Sequence, residues 1–206
     1  MIEKFGKSTA LLLIDVQAGV NVLQHWGGKT GRRNNPDAES KMLSLLNQFR
    51  EQELPTVFTR HDSREADSPL KFSLKTGQQI NGFEIQDSDI VITKDVNSGF
   101  VGTNLEIELR RLNISRLVVV GFFTNFCVET TVRMAGNLGF DVYLVEDACA
   151  TTNRIGFDGT DHDPEVVHQL SVASMHGEFC TAISASQAMQ LCTCDMPDQE
   201  RKQGNE

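Results

Sequence analysis

Residues 115–132 read SRLVVVGFFTNFCVETTV, and the rest of the chain is organised around this stretch. An apolar run at residues 117–120 stops at Gly121, and after a short turn Cys127 stands where an amphipathic segment begins. This order predicts a buried strand, a tight turn, a nucleophile and then a helix.

The chemistry of a thiol explains why a cysteine at the start of a helix would be useful in catalysis. A thiol has a pKa of about 8.5 and stays protonated at neutral pH unless its surroundings favour the thiolate. A helix N-terminus favours it through unpaired N–H groups and the helix dipole, and the same N–H groups can receive an oxyanion. The alternative is that Cys127 is a small apolar residue packed in a buried turn.

Outward from this stretch, strand and helix patterns alternate along the chain. The predicted strands are residues 9–14, 54–59, 90–93, 117–120, 141–145 and 178–183, and the predicted helices are residues 36–53, 103–112, 128–138, 161–175 and 184–191. Alternation of this kind predicts an α/β fold with a mostly parallel sheet covered by helices on both faces. The long polar segment 60–89 predicts a functional loop.

Length and composition limit the classes of function. A chain of 206 residues fits one domain, residues 1–206, with 195–206 as a charged, frayed tail. A formal charge of −9 argues against a nucleic-acid partner. No apolar run approaches the roughly 20 residues of a membrane span, and no signal peptide is visible. We therefore expect a cytoplasmic protein with a small-molecule substrate.

The number and spacing of the cysteines also favour a cytoplasmic protein. The five cysteines are an odd number without paired CxxC motifs, which is typical of free thiols in a reducing compartment. The sequence assigns no role to Cys192 and Cys194.

Three reactive side chains share one position in this pattern. Asp15, Lys94 and Cys127 each lie at or just beyond the C-terminal end of a predicted parallel strand. Open α/β sheets bind ligands along that edge, so we expect these residues to converge there.

Each of the three has a physical task in catalysis. Asp15, desolvated and with a raised pKa, would take the thiol proton and return it to a leaving nitrogen. Lys94 would hold Asp15 and stabilise the thiolate by its charge, and Cys127 would attack a carbonyl to form a thioester. The alternative for Asp15 and Lys94 is a simple ion pair at the sheet edge.

The motifs around these residues resemble a known family. The segments LLLIDVQ, VITKDVNSGF and GFFTNFCVETT resemble those of the isochorismatase-like cysteine hydrolases, which include nicotinamidases, N-carbamoylsarcosine amidases and lactam-opening hydrolases. The resemblance covers residues 9–183.

The resemblance implies further properties of the chain. Asp15, Lys94 and Cys127 match the Asp-Lys-Cys triad of the family, and Phe122-Phe123 matches its non-proline cis peptide, which aims the N–H groups of Phe123 and Cys127 at the oxyanion. The implied layout is a Rossmann-like three-layer α/β/α sandwich without a cofactor, assembled as a homo-oligomer, a dimer or a tetramer.

One departure from the family concerns metal binding. Nicotinamidases hold a metal through an Asp-x-His pair after the second strand, whereas this chain reads FTRHDSRE with His61 and Asp62 adjacent. We therefore predict no catalytic metal. His61 is a candidate substrate contact, with a loop-anchoring hydrogen bond as the alternative.

Four further residues are candidates for substrate binding, each with a structural alternative. Gln17 matches a recurrent family position, and Trp26 either caps the pocket or packs on the surface. Phe100 is a candidate pocket wall, with core packing as the alternative. Asn125 either touches substrate or makes the turn.

The sequence thus favours a cysteine hydrolase that cleaves a C–N bond of a small amide, carbamoyl or lactam substrate through a Cys127 thioester. Three alternatives stay open: a vinyl ether hydrolase of the isochorismatase type, a non-catalytic member of the fold, and a redox sensor that uses Cys127.

Overall fold

A computed structural model describes residues 4–192 of the chain. Its strands are β1 Thr9–Ile14, β2 Thr56–His61, β3 Ile90–Lys94, β4 Arg116–Phe122, β5 Asp141–Ala150, β6 Arg154–Ile155, β7 Asp161–His162 and β8 Thr181–Ile183. Its helices are α1 Leu23–Gly27, α2 Ala38–Glu51, α3 Leu105–Arg111, α4 Glu129–Asn137, α5 Pro164–Met175 and α6 Ala185–Cys192. None of the helices in this range is long and apolar enough to cross a membrane.

Six of the strands form one parallel sheet in the order β3-β2-β1-β4-β5-β8. The chain builds outward from β1 in one direction and from β4 in the other, so the strand order reverses between these two neighbours. In open α/β sheets, ligands bind in the crevice at such a reversal, beyond the carboxyl ends of the strands.

The sheet separates two apolar layers, which confirms the predicted α/β architecture. Along β1, Leu11 and Leu13 pack into one layer with α2 and α6, whereas Ala10, Leu12 and Ile14 pack into the other with α3 and α4. All of them are fully buried. Because successive strand side chains point to opposite faces, an unbroken apolar run is required when helices cover both faces.

Several element boundaries differ from the prediction. Strand β2 ends at His61, two residues later than predicted, because Arg60 and His61 continue the pairing with β3. Strand β5 runs to Ala150, five residues further than predicted, and pairs with β4 across an irregularity between Val119 and Gly121.

The predicted helix 161–175 begins only at Pro164. Asp163 caps this helix by accepting a hydrogen bond from the N–H of Glu165 at 2.9 Å, and a proline suits the first helical position. Asp161 and His162 instead form β7, which pairs with β6. The predicted strand 178–183 is shorter in the structure, Thr181–Ile183. The predicted tail 195–206 lies outside the described residues.

Candidate active site

The ends of β1, β3 and β4 meet at one crevice of the sheet. Asp15 follows β1 directly, Lys94 is the last residue of β3, and Cys127 lies five residues beyond β4. The Nζ atom of Lys94 is 2.6 Å from Oδ2 of Asp15, and Sγ of Cys127 lies within 4.8 Å of the same carboxylate. The structure therefore brings together the three side chains that the sequence places at strand ends.

Asp15 is held in place by its own backbone and by Thr59. Its φ of 52° lies in the left-handed region, which turns the chain sharply at the end of β1. The hydroxyl of Thr59 donates to Oδ1 of Asp15 at 2.7 Å and accepts from the Asp15 N–H at 3.2 Å. Because one carboxylate oxygen is occupied by Thr59, the other faces Lys94.

The turn that carries Cys127 approaches β1 closely. Gly121 has a φ of 128°, and a Cβ at this position would lie 2.2 Å from the carbonyl oxygen of Ile14. Only glycine fits such a contact, so β4 can end directly beside Asp15. The Phe122-Phe123 peptide that follows is cis, as the family resemblance implies.

Cys127 lies inside a π-helical turn, Thr124–Val128, that precedes α4. The carbonyl of Phe123 accepts hydrogen bonds from the N–H groups of Phe126 and Val128 at 2.9 and 3.2 Å. Cys127 therefore belongs to the first turn of the helical segment and is not its opening residue.

The predicted raised pKa of Asp15 is wrong. Burial by itself would raise the pKa of this carboxyl, but the charge of Lys94 holds it below its usual value. Burial also disfavours the Lys94 ammonium, yet the Asp15 carboxylate outweighs it and raises the Lys94 pKa. The resting site thus contains a stable carboxylate–ammonium pair.

The surroundings of Cys127 do not lower the pKa of its thiol, as a position at a helix N-terminus would. Burial raises the pKa of the Cys127 thiol, the negative charge of Asp15 raises it further, and Lys94 lowers it only in part. The side chain is 7% exposed. These surroundings therefore favour the thiol over the thiolate.

His61 is the fourth member of the cluster. Its Nδ1 atom lies 3.0 Å from Nζ of Lys94, 3.7 Å from Oδ2 of Asp15 and 3.8 Å from Sγ of Cys127. From the sequence we predicted that His61 begins a loop, and its contact with Lys94 was not predicted. The signal that could have found it is the register of β2, because His61 pairs with Lys94 across the sheet.

Asp15, His61 and Cys127 are also the set of residues that could hold a metal ion, since their ligand atoms lie within 4.8 Å of one another. The Lys94 ammonium occupies the place of a cation between Asp15 and His61, at 2.6 and 3.0 Å. Asp62 is turned away and accepts from the N–H of Phe72 at 3.0 Å. With Lys94 protonated, these side chains do not fit a divalent cation.

A cavity of about 310 Å³ opens above the reactive atoms. Its apolar and aromatic walls are formed by Val20, Trp26, Leu70, Phe122, Phe123 and Phe126. Its polar rim is formed by Ser63, Arg64, Glu65, Ser68, Asp95 and Asn97, and the clustered residues Asp15, His61 and Cys127 also line the cavity. The Trp26 ring lies 5.0 Å from that of Phe123, and its indole N–H donates to the Gly19 carbonyl at 2.8 Å. The volume suits a small organic molecule.

Three of the five predicted substrate contacts do not line this cavity. Gln17 is fully buried, where its amide bonds the backbone of His61 and of Gly77. Phe100 packs on Phe140 in the core, and the side chain of Asn125 accepts a hydrogen bond from the Thr151 hydroxyl. These side chains support the site, because their partners are protein groups, whereas Trp26 and His61 face the cavity.

Comparison with known proteins identifies the family. The model of the isochorismatase domain matches residues 9–187. An uncharacterized isochorismatase family protein of Bacillus subtilis (strain 168), YrdC, is 37% identical over 184 residues, which are 86% of this chain and 92% of that protein. Nicotinamidase 3 of Arabidopsis thaliana is 29% identical over 165 residues, which are 72% of this chain and 76% of that protein.

Comparison with solved structures gives the same family. An isochorismatase-family protein from Chromobacterium violaceum ATCC 12472 superposes with a TM-score of 0.84 at 37% identity, covering 92% of this chain and 96% of that one. The match of the family model over residues 9–187, together with these relatives, shows that the chain belongs to the isochorismatase family of hydrolases.

Proposed function

We propose that this protein is a cysteine hydrolase that cleaves a C–N bond in a small amide, carbamoyl or lactam substrate. The observation that carries the proposal is the cluster of Asp15, Lys94 and Cys127, in which Asp15 and Cys127 line one small cavity and Lys94 contacts Asp15 from behind it. A nucleophile, a base and a fixed positive charge beside a site for a substrate carbonyl are the parts that acyl transfer requires.

The first half-reaction forms a thioester. The thiol proton of Cys127 passes to the Asp15 carboxylate as the sulfur attacks the substrate carbonyl carbon. The oxyanion accepts hydrogen bonds from the backbone N–H groups of Phe123 and Cys127. Asp15 then gives its proton to the nitrogen, the C–N bond breaks, and ammonia or an amine leaves.

The second half-reaction hydrolyses the thioester. Water attacks the acyl carbon while Asp15 takes a proton from it. The carbon–sulfur bond then breaks, the sulfur recovers the proton from Asp15, and a carboxylic acid leaves. Asp15 thus accepts and returns a proton twice in each cycle, and the enzyme ends as it began.

Lys94 supplies charge and does not transfer a proton in this scheme. Its raised pKa keeps it cationic, and its contact with Oδ2 at 2.6 Å orients the carboxylate. The same charge lowers the cost of the thiolate that develops during attack.

The raised pKa and burial of Cys127 favour this function over a redox sensor. Peroxide reacts with exposed thiolates of low pKa, and Cys127 has neither property. One relative is a nicotinamidase, which is an enzyme that acts on an amide, and this supports C–N cleavage by the present protein. A homo-oligomer stays a prediction, which light scattering of the purified protein would check.

The test is a panel of small amides, carbamoyl compounds and lactams, with rapid acid quenching and mass spectrometry of the protein. We expect an acyl adduct on Cys127 and release of ammonia or amine. Cys127→Ser should abolish both, because serine lacks an equally nucleophilic atom at this position.

Cys180→Ser is the matched control, since Cys180 lies outside the cavity and its loss should leave turnover unchanged. Full turnover in Cys127→Ser would contradict the mechanism and favour chemistry that does not need the thiol, such as vinyl ether hydrolysis.

A further inference from the structure

All three protons of the Lys94 ammonium are committed within the protein. Nζ lies 2.6 Å from Oδ2 of Asp15, 3.0 Å from Nδ1 of His61 and 3.2 Å from the carbonyl oxygen of Val96. An ammonium has three donors and no acceptor, and the Lys94 side chain is completely buried. Lys94 therefore has no proton left to offer a substrate.

This arrangement sets the tautomer of His61. Because Lys94 can only donate, Nδ1 of His61 must accept, and a neutral imidazole whose Nδ1 accepts carries its proton on Nε2. The backbone of His61 is fixed at the same time. Its N–H donates to Oε1 of Gln17 at 2.7 Å, and its carbonyl accepts from Nε2 of Gln17 at 3.0 Å.

The Nε2 side of the His61 ring is open to the cavity. Within residues 4–192 no hydrogen bond is made by this nitrogen, and it is not among the buried polar atoms without a partner. The side chain is 10% exposed, and the ring lines the cavity wall. This nitrogen is thus a donor of fixed orientation in the wall that His61 and Cys127 share.

We propose that the Nε2–H of neutral His61 donates a hydrogen bond to an acceptor atom of the substrate next to the carbon that Cys127 attacks. This assignment rests on the proposed function and narrows the substrate class. The substrate carries a lone pair, on oxygen or nitrogen, beside its scissile amide carbon.

The charges around the cavity narrow the substrate class further, because none of the described lysines and arginines that line it is without a partner. Lys94 is buried, and the rim cation Arg64 is bonded to Asp95 at 2.7 Å. We therefore expect an uncharged acceptor rather than a carboxylate at this position. His61 would thus select substrates that carry a hydrogen-bond acceptor at this position, without requiring that acceptor to be charged.

Two substitutions separate this role from a purely structural one. The side-chain amide of glutamine reaches the position of Nε2, so His61→Gln can still donate to the substrate. The shorter amide of asparagine reaches only the position of Nδ1, so His61→Asn keeps an acceptor for Lys94 but loses the donor in the cavity.

We expect kcat/KM for the best amide of the panel to fall on the order of 10-fold in His61→Asn, the usual effect of one lost hydrogen bond. His61→Gln should recover most of that loss. Equal losses in the two variants, or better activity in His61→Asn, would overturn the proposal and leave His61 as a partner of Lys94. His162→Asn is the control, because His162 is exposed on β7 away from the cavity.

The tautomer can be tested without turnover, which separates failure of this proposal from failure of the proposed function. In imidazole ¹⁵N spectra of the Cys127→Ser protein, assigned with His61→Gln, we expect His61 to be protonated on Nε2 alone. Methyl carbamate, which carries an ether oxygen on its carbonyl carbon, should shift the Nε2 signal as it binds, whereas the isosteric propanamide, which lacks that acceptor, should not. A proton on Nδ1 of His61, or no Nε2 shift at methyl carbamate concentrations that saturate other cavity signals, would overturn the assignment.

Discussion

Two carboxylate–cation pairs lie at the same edge of the sheet and have almost the same geometry. Asp15 and Lys94 meet at 2.6 Å, and Arg64 and Asp95 meet at 2.7 Å. Their surroundings differ: the side chains of the first pair are 1% and 0% exposed, whereas Arg64 and Asp95 are 71% and 49% exposed. The distance between the charged atoms therefore does not distinguish the two ion pairs, whereas the burial of their side chains does.

Burial explains why the inner pair suits catalysis. Each charge of Asp15 and Lys94 is stabilised mainly by the other, because water does not reach them. In the proposed mechanism, a proton that Asp15 takes from Cys127 would disturb this balance and would therefore be passed on. At the rim, water stabilises Arg64 and Asp95 separately, so their contact contributes little to the stability of the fold.

The largest expected effect comes from breaking the inner pair. Lys94→Met should abolish turnover and lower the free energy of unfolding by about 3–5 kcal/mol, because Asp15 is left as an uncompensated buried charge. Asp15→Asn should lower kcat about 10²–10⁴-fold through loss of the base. Urea denaturation and amide turnover are the measurements.

The double variant Asp15→Asn/Lys94→Met sharpens this result. Since it removes both charges, it should be more stable than Lys94→Met alone, while remaining inactive. If the two single losses of stability simply add, Asp15 and Lys94 do not interact as the structure indicates.

The second prediction concerns pH and stability. The pKa of Asp15 is lowered in the folded state, so its contribution is present above its unfolded pKa of about 3.9 and is lost as the pH falls through the folded value. The pKa of Lys94 is raised, so its contribution is present below about 10.4 and is lost as the pH rises through the folded value.

Thermal melting of the wild type and of Asp15→Asn/Lys94→Met across acid and alkaline pH measures both changes. The wild type should lose stability more steeply than the double variant at each extreme. Parallel curves at both extremes would show that the pair does not couple folding to protonation.

The smallest expected effect comes from breaking the rim pair. Arg64→Gln should leave the urea midpoint unchanged, because both partners are exposed to water. Any change should appear in KM, since Arg64 lines the cavity. A loss of stability comparable to that of Lys94→Met would remove the distinction between the two pairs.

The fold could be predicted from the sequence because its signals are local. The apolar run of β1 and the break at Gly121 specify a strand buried on both faces and the turn after β4. Asp15, Lys94 and Cys127 could be placed together because parallel strands end at one edge.

What could not be predicted depends on pairing and burial. The position of His61 follows from the register of β2 against β3, which no local pattern encodes. The lowered pKa of Asp15 and the raised pKa of Cys127 follow from the balance between burial and three neighbouring charged or polar groups. Gln17 and Asn125 looked like ligand contacts because their amides can bond either a substrate or the backbone, and only the coordinates show which partner is near.

The cavity walls and the reactive atoms come from different parts of the chain. The sulfur, carboxylate and amine lie at the ends of the sheet strands, whereas Val20 and Trp26 lie between β1 and α2, and Ser68 and Leu70 lie between β2 and β3. Changes in these two segments can therefore reshape the cavity while the contact between Asp15 and Lys94 is kept.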